Sequence, residues 1–319
     1  MIRKITTFLL LICIVLLLGG CGNNPINSTA FMFDTVSVIS VYSDKDSSAA
    51  DNTLKYCAEF ENILSATNEQ SELYKLNNSQ TATVSEHILK NIQKANEYSE
   101  LSDGKFDITI RPLSSLWNFR ESIMPTSESV EAALKLVDYK KITISGNRVS
   151  LNGTQIDLGG IAKGYIADMA KIHLKEQGVE KAIINLGGNI VAFGREYDIG
   201  IKKPFTNEMA AVLKVQDKAV STSGTYERCI IKGGKVYHHI LDSNTGYPAQ
   251  TDLNSATVIC DNSVDADALS TVCILLGVED ATKLINGIDG VEAIFIDASG
   301  TIHTTNGIKN TKNNIYKIA

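Results

Sequence analysis

Residues 181–240 read as a block of short strands, rich in Val and Ile and cut by glycine, set between stretches whose apolar residues recur at helical spacing. This arrangement constrains the fold more than any other feature of the chain. Along the chain the strands and helices do not strictly alternate. They imply an α+β body. The composition can fill it: of 319 residues, 44% are hydrophobic and 21% charged, which excludes a disordered, collagen-like or multi-span membrane chain. Length alone suggests roughly two domains. With 30 Lys+Arg against 36 Asp+Glu, no nucleic-acid partner held by bulk positive charge is expected.

Around that block, 33–42 and 291–297 read as strands. Helices are expected over 47–64, 85–101 with Ser85 as N-cap, 127–137, 160–177 with Gly178 as stop, 264–276 and 279–286. In helix 160–177 the inward residues are Ile161, Tyr165, Ile166, Met169 and Ile172. Residues 141–151 read as a hairpin about Ser145-Gly146-Asn147. The polar end from Thr304 is expected to be loosely held.

The amino terminus stands apart. Arg3 and Lys4 precede the apolar run 8–18, which as a helix would cover about 16 Å at about 1.5 Å per residue. A bilayer core needs about 20 residues, so the run reads as the h-region of an export signal. It ends in Leu18-Gly19-Gly20-Cys21, which resembles a bacterial lipobox. The expectation is removal of residues 1–20, a lipid on Cys21, a polar tether over 21–30, and one domain over 31–319. The mature protein, carrying a net charge of −8, would be held at the membrane outside the cytoplasm by its lipid and not by its charge. Cys57, Cys229, Cys260 and Cys273 contain no C-x-x-C pair, and no particular bridge is expected.

Several segments carry chemistry-bearing residues. Asp157-Leu158-Gly159-Gly160-Ile161-Ala162-Lys163-Gly164 stands at a strand-to-helix junction, where a glycine pair admits a ligand close to the backbone and free N–H groups face an anion. It has neither P-loop nor dinucleotide-fingerprint spacing, and alone it reads as a tight structural turn before it reads as a site. Asp267 and Thr271, four apart on one helix face, offer hard oxygen to Mg²⁺, or simply an acidic first turn. His238 and His239 stand on opposite faces of a strand end; a histidine suits base chemistry, and zinc lacks its further ligands. Ser221-Thr222-Ser223-Gly224 could hold an anion or form a plain turn. Gly104-Lys105-Phe106-Asp107 lies near Trp117, itself a candidate core residue.

In this order the segments are specific. The chain resembles the ApbE family, the FAD:protein FMN transferases, through the strand at Phe33-Asp34-Thr35, Gly104 to Asp107, Asp157 to Gly164, His239 to Gly246 and Asp267 to Thr271. The resemblance spans roughly residues 31–297 and implies a T-fold-related body of mixed, largely antiparallel sheets with flanking helices. It implies Mg²⁺-dependent cleavage of FAD, with FMN passed to a Thr or Ser hydroxyl and AMP released. The acceptor would be a flavoprotein subunit of a membrane redox complex with a Ser/Thr-Gly-Ala-Thr-like motif. Hydrolysis of FAD to FMN and AMP is the alternative within enzymes, and a lipid-anchored flavin binder the alternative outside them.

The resemblance also implies roles. Asp267, Ser270 and Thr271, with carbonyls of the Gly160–Ala162 turn, would ligate Mg²⁺; Asp267 and His239 would be catalytic, the histidine as base. Phe33, Thr67, Lys105, Phe106, Asp107, Asp157, Gly159, Gly160, Lys163, Ser223, Gly224 and Leu241 would contact FAD. The sequence departs from the family pattern at Asp34, where glycine is usual, at Thr67, near a usual aromatic, and at Ser243, in place of proline.

Overall fold

The computed structural model describes residues 25–42 and 48–318. The expected export signal and Cys21 lie outside the described residues. The large sheet has ten strands: β1 (Ile26–Met32), β2 (Thr35–Val41), β3 (Ala182–Leu186), β4 (Asn189–Lys202), β5 (Met209–Gly224), β6 (Leu253–Cys260), β7 (Glu292–Asp297), β8 (Ile302–Thr304), β9 (Ile308–Lys312) and β10 (Ile315–Ile318). From β1 to β8 the order in space is the order in the chain, and every neighbouring pair is antiparallel. The hairpin β9–β10 joins the sheet through β10, which runs parallel to β5. The α+β class expected from the sequence is the observed one.

Helices enter as insertions into this meander. The segment between β2 and β3 carries α1 (Ala49–Glu59), α2 (Glu86–Leu101) and α3 (Ala162–Glu176), and the turn from β6 to β7 carries α4 (Ser263–Leu276). Alternation along the strands separates two cores. Ala182, Ile184, Val258, Ala293 and Phe295 face the helices, while Ile183, Ile259, Ile294 and Ile296 face the other side, where Ile199, Leu213, Ile308 and Tyr316 cover them. α4 is buried along nearly its whole length, so it is apolar around its circumference apart from the residues discussed below.

Local signals explain the helix ends. Ser85 is extended, and its side chain accepts from the Ile88 amide. Gly178, at φ +79°, closes α3 with bonds from its own amide to the Lys175 carbonyl and from Val179 to Leu174. The expected hairpin near 146 is present, Thr143–Ser145 pairing with Arg148–Ser150, and Thr81–Thr83 adds a third strand.

Four expectations need correction. The sheet begins inside the stretch read as tether, because Ile26–Met32 is a partly solvated edge strand and therefore polar. Residues 33–34 are a turn: Phe33 and Asp34 have φ +54° and +57° between the paired Met32 and Thr35. The end beyond Thr304 is ordered as β9–β10, and buries Ile308 and Tyr316. Ile172 points outward, 49% exposed; Ala167, Ala170 and Leu174 are buried instead.

The two-residue turn at the tip of β1–β2 is of the kind that favours glycine at its second position. Asp34→Gly should raise unfolding stability by about 1 kcal/mol, read as a shift of the urea midpoint at unchanged slope. An unshifted midpoint would show that Asp34 sits there without strain.

Candidate functional site

Two helix beginnings and one strand end build the site. The chain leaves Ile156 with the Asp157 amide bonded to the Ile108 carbonyl at 2.7 Å, then turns through Leu158-Gly159-Gly160-Ile161 into α3. Asp157 shapes this turn: its Oδ1 accepts from the Gly159 amide at 2.9 Å, and its Oδ2 accepts from Ser114 Oγ at 3.1 Å and pairs with Arg111 Nη1 at 3.9 Å. A Cβ on Gly160 would stand 3.1 Å from the Phe106 ring and 3.8 Å from Thr271 Oγ1. The glycine thus lets the turn pass between the buried Phe106 and α4.

Asp267 lies on the first turns of α4, 4% exposed. Its Oδ2 accepts from the Gly164 amide at 2.9 Å, and its Oδ1 lies 3.9 Å from Lys163 Nζ, which itself donates to the Gly159 carbonyl at 3.1 Å. One turn on, Ser270 and Thr271 meet the end of β5. Ser223 Oγ lies 2.8 Å from Ser270 Oγ and 3.3 Å from Thr271 Oγ1, and Ser221 Oγ lies 3.5 Å from Ser270 Oγ. One carboxylate, one ammonium and four hydroxyls thus gather beside a glycine turn. Among the described residues no group of three His, Cys, Asp or Glu could hold a metal ion. The donors here are hard oxygens, which suit Mg²⁺ provided phosphate and water complete its shell.

His239 follows the two-stranded ribbon of Cys229–Lys232 and Lys235–His238, and its amide donates to the Arg228 carbonyl at 3.0 Å. Its Nδ1 is buried without a hydrogen-bond partner. Burial first, then the positive charges of Arg228 and Lys163 and the neighbouring His238, push its pKa down to about 3, so the ring is neutral. Lys163 also acts on Glu227, an exposed residue whose carboxyl feels Arg228 and Lys202 as well. His239 and Glu227 therefore share the electrostatic environment of Lys163.

The remaining expected residues divide. Phe106 touches the Gly160 turn as described. Asp107 points at its own loop: Oδ1 accepts from the Thr109 amide and hydroxyl, both at 2.7 Å, and Oδ2 from the Tyr139 amide at 2.9 Å, while burial raises its pKa. Lys105 is half-buried in the preceding turn. Gly224 ends β5 with no room for a Cβ, which would stand 2.4 Å from the Tyr226 ring. Leu241 is buried in a separate cluster with Leu113, Trp117 and Val130, so the tryptophan is a core residue. Phe33 is tied through its amide to Glu61 at 2.8 Å, and Thr67 is exposed in the loop after Glu61–Leu64. The four cysteines that the structure describes are free.

The sequence offers no pattern for Glu227 and Arg228, which stand three and four residues beyond the serine-rich strand end, or for Asp168. Two opposite charges near a candidate anion loop are the only cue to the first two; Asp168 has none, since its partners lie 95 residues away or more.

Fold and site define the class: an antiparallel meander whose inserted helices bring a carboxylate, hydroxyls and a lysine to a glycine turn. A model of the ApbE family matches residues 33–295, and the chain belongs to that family. The FAD:protein FMN transferase of Klebsiella pneumoniae is 34% identical over 285 residues, covering 86% of this chain and 90% of that protein. The one from Treponema pallidum is 30% identical over 335 residues, covering 93% and 92%. Among solved structures, the ApbE protein of Thermotoga maritima superposes with a TM-score of 0.82 at 32% identity, covering 88% of this chain and 97% of that one. The flavin transferase ApbE of Vibrio cholerae gives 0.79 at 25%, again covering 88% and 97%.

The close crossing of α3 and α4 yields a test. A Cβ on Gly164 would lie 2.2 Å from the Ser263 carbonyl oxygen and 2.7 Å from Asp267 Cβ. In an exposed helix Gly→Ala stabilises; here Gly164→Ala should cost about 1–3 kcal/mol by overpacking, measured by chemical denaturation. A gain in stability would mean that the helices separate freely.

Proposed function

We propose that this protein transfers FMN from FAD to a Thr or Ser hydroxyl of an acceptor flavoprotein and releases AMP. The observation that carries this reading is the meeting of the Gly159–Gly160 turn, Lys163, Asp267 and Thr271 within a chain of the ApbE family. Asp267, Ser270 and Thr271, with carbonyls of the Gly160–Ala162 turn, would hold Mg²⁺, which when bound neutralises the diphosphate and the charge on departing AMP.

The chain's own groups do the rest. Lys163 and the backbone at Gly159 and Gly160 hold phosphate oxygens. Phe106, packed on Gly160, gives the turn a rigid floor. Phe33, Thr67, Lys105, Asp107, Asp157, Ser223, Gly224 and Leu241 line or shape the path of FAD, Asp107 and Asp157 by fixing their loops. The acceptor oxygen attacks the phosphorus on the FMN side, a new P–O bond forms, the bond to AMP breaks, and the hydroxyl proton passes to neutral His239. A bound diphosphate offsets Arg228 and Lys163 and so raises the affinity of this ring for that proton.

The acceptor would be a flavin subunit of a membrane redox complex with a Ser/Thr-Gly-Ala-Thr-like motif. Among the described residues no helix is long and apolar enough to cross a membrane. A lipid at Cys21 would attach the protein to the membrane outside the cytoplasm, in keeping with the lipobox spacing.

Incubation with FAD and Mg²⁺, with and without an acceptor domain, should give AMP and a fluorescent FMN-labelled acceptor. AMP with free FMN and no labelled acceptor would favour hydrolysis, and no AMP in either case would sink both enzyme readings and leave a flavin binder. Asp267→Ala should lower turnover by at least 10²-fold while FAD still binds; unchanged turnover refutes the assignment. Cys21→Ser should move the protein from membrane to soluble fraction with activity on soluble acceptor intact, and continued membrane retention would overturn the anchor.

A further inference from the structure

We propose that Asp168 is a positioning residue that sets the orientation of Asp267 through a reciprocal cap between α3 and α4. The inference rests on the reading of Asp267 as the Mg²⁺-bearing carboxylate. Neither helix caps its own beginning with a side chain: Ile161 precedes α3 and Asn262 precedes α4, and neither accepts a capping bond. Each helix is capped by the other. Asp168 of α3 accepts from the amides of Ser263 at 2.8 Å and Val264 at 2.9 Å, the first two residues of α4. Asp267 of α4 accepts from the amide of Gly164, in the first turn of α3, at 2.9 Å.

The exchange is symmetric in the sequence. In each helix the carboxylate stands four residues after the residue that gives its amide: Gly164 and Asp168 in one, Ser263 and Asp267 in the other. Gly164 and Ser263 meet at the crossing, where a Cβ on Gly164 has no room. One helical turn therefore separates the two caps, and they fix both the spacing and the rotation of α4 against α3. Asp267 Oδ2 is held by this frame, which leaves Oδ1 beside Lys163.

Asp168 touches none of the residues assigned to Mg²⁺ or phosphate. Its loss would orphan the amides of the fully buried Ser263 and the half-buried Val264 and free the first turn of α4, with Asp267 on it, to rotate. Both Asp168 oxygens accept, so the cap needs the carboxylate form; a protonated carboxyl would set an O–H against an N–H. Burial raises this carboxyl to about 6; the Ser263 and Val264 amides and then Lys171 on its own helix oppose the rise, and Asp265 on α4 adds to it. Tyr165 and Cys260, the other titratable neighbours, are both raised to about 12 by burial and stay neutral. The cap accordingly weakens as pH falls through about 6.

Asp168→Asn in the full chain tests this by amide hydrogen exchange and by titration. Protection at Gly164 should fall at least tenfold relative to amides of the sheet core such as Phe295, Mg²⁺ affinity in the presence of FAD should fall about tenfold, and FAD affinity without Mg²⁺ should hold. The acid limb near pH 6 in Mg²⁺ affinity should vanish from the variant. Should Asp168→Asn fail to fold, Ser263→Pro removes one capping donor at a position that tolerates proline, and the same losses are expected. Wild-type protection at Gly164, or an equal fall there and at Phe295, overturns the proposal. Wild-type protein indifferent to Mg²⁺ would overturn the metal reading alone, since exchange at Gly164 still judges the cap.

Discussion

The contact between the first turns of α3 and α4 is the constraint on which the site depends. Helices normally pack with axes 8–10 Å apart, set by their side chains. Here a glycine at the crossing removes the spacer, and the backbone of one helix reaches the carboxylate of the other. A buried carboxylate away from water is costly unless donors surround it. Asp267 has one amide and one nearby ammonium, and a single carboxylate so held keeps an oxygen for a cation without collapsing into a closed ion pair.

The meander explains how remote segments reach that contact. Because β1 to β8 stand in chain order, every insertion longer than a hairpin must leave the sheet and pack on its face. The insertion after β2 supplies the glycine turn and α3; the one after β5 supplies Glu227, Arg228 and His239; the one after β6 supplies α4. β5 itself ends in the serines that meet Ser270 and Thr271. The convergence argues for one body in place of the two domains that length suggests.

Much of this was legible in the residues. Ser85, Gly178 and the turn at Ser145-Gly146-Asn147 mark element ends by local chemistry, and the spacing of Asp267 and Thr271 places both on one face. What escaped was polar or interrupted strand. β1, β9 and β10 lie at edges or carry one wet face, and so look like tether and tail. β4 and β5 run 14 and 16 residues, although the glycines within 181–240 suggest short pieces. Gly194 does not end β4: it sits at a bulge, φ +83°, where the register shifts between Ala192 and Glu196 and a Cβ would strike the Glu180 carbonyl at 2.0 Å. Asp168 escaped for another reason, since a cap in trans has no local pattern.

The pairing of β2 with β3 has a kinetic side. Elsewhere in the meander, hairpins such as β3–β4 close short loops, but these two strands share five register pairs across the whole segment from Val41 to Ala182. Closing such a loop from an open chain costs on the order of 4 kcal/mol beyond the constant for a short one. The strands cannot simply zip from one end. Condensation of helices α1 to α3 between them shortens that distance, whereas the hairpin β3–β4 needs no such help. The first strands of the body to be synthesised thus carry the longest closure in the large sheet.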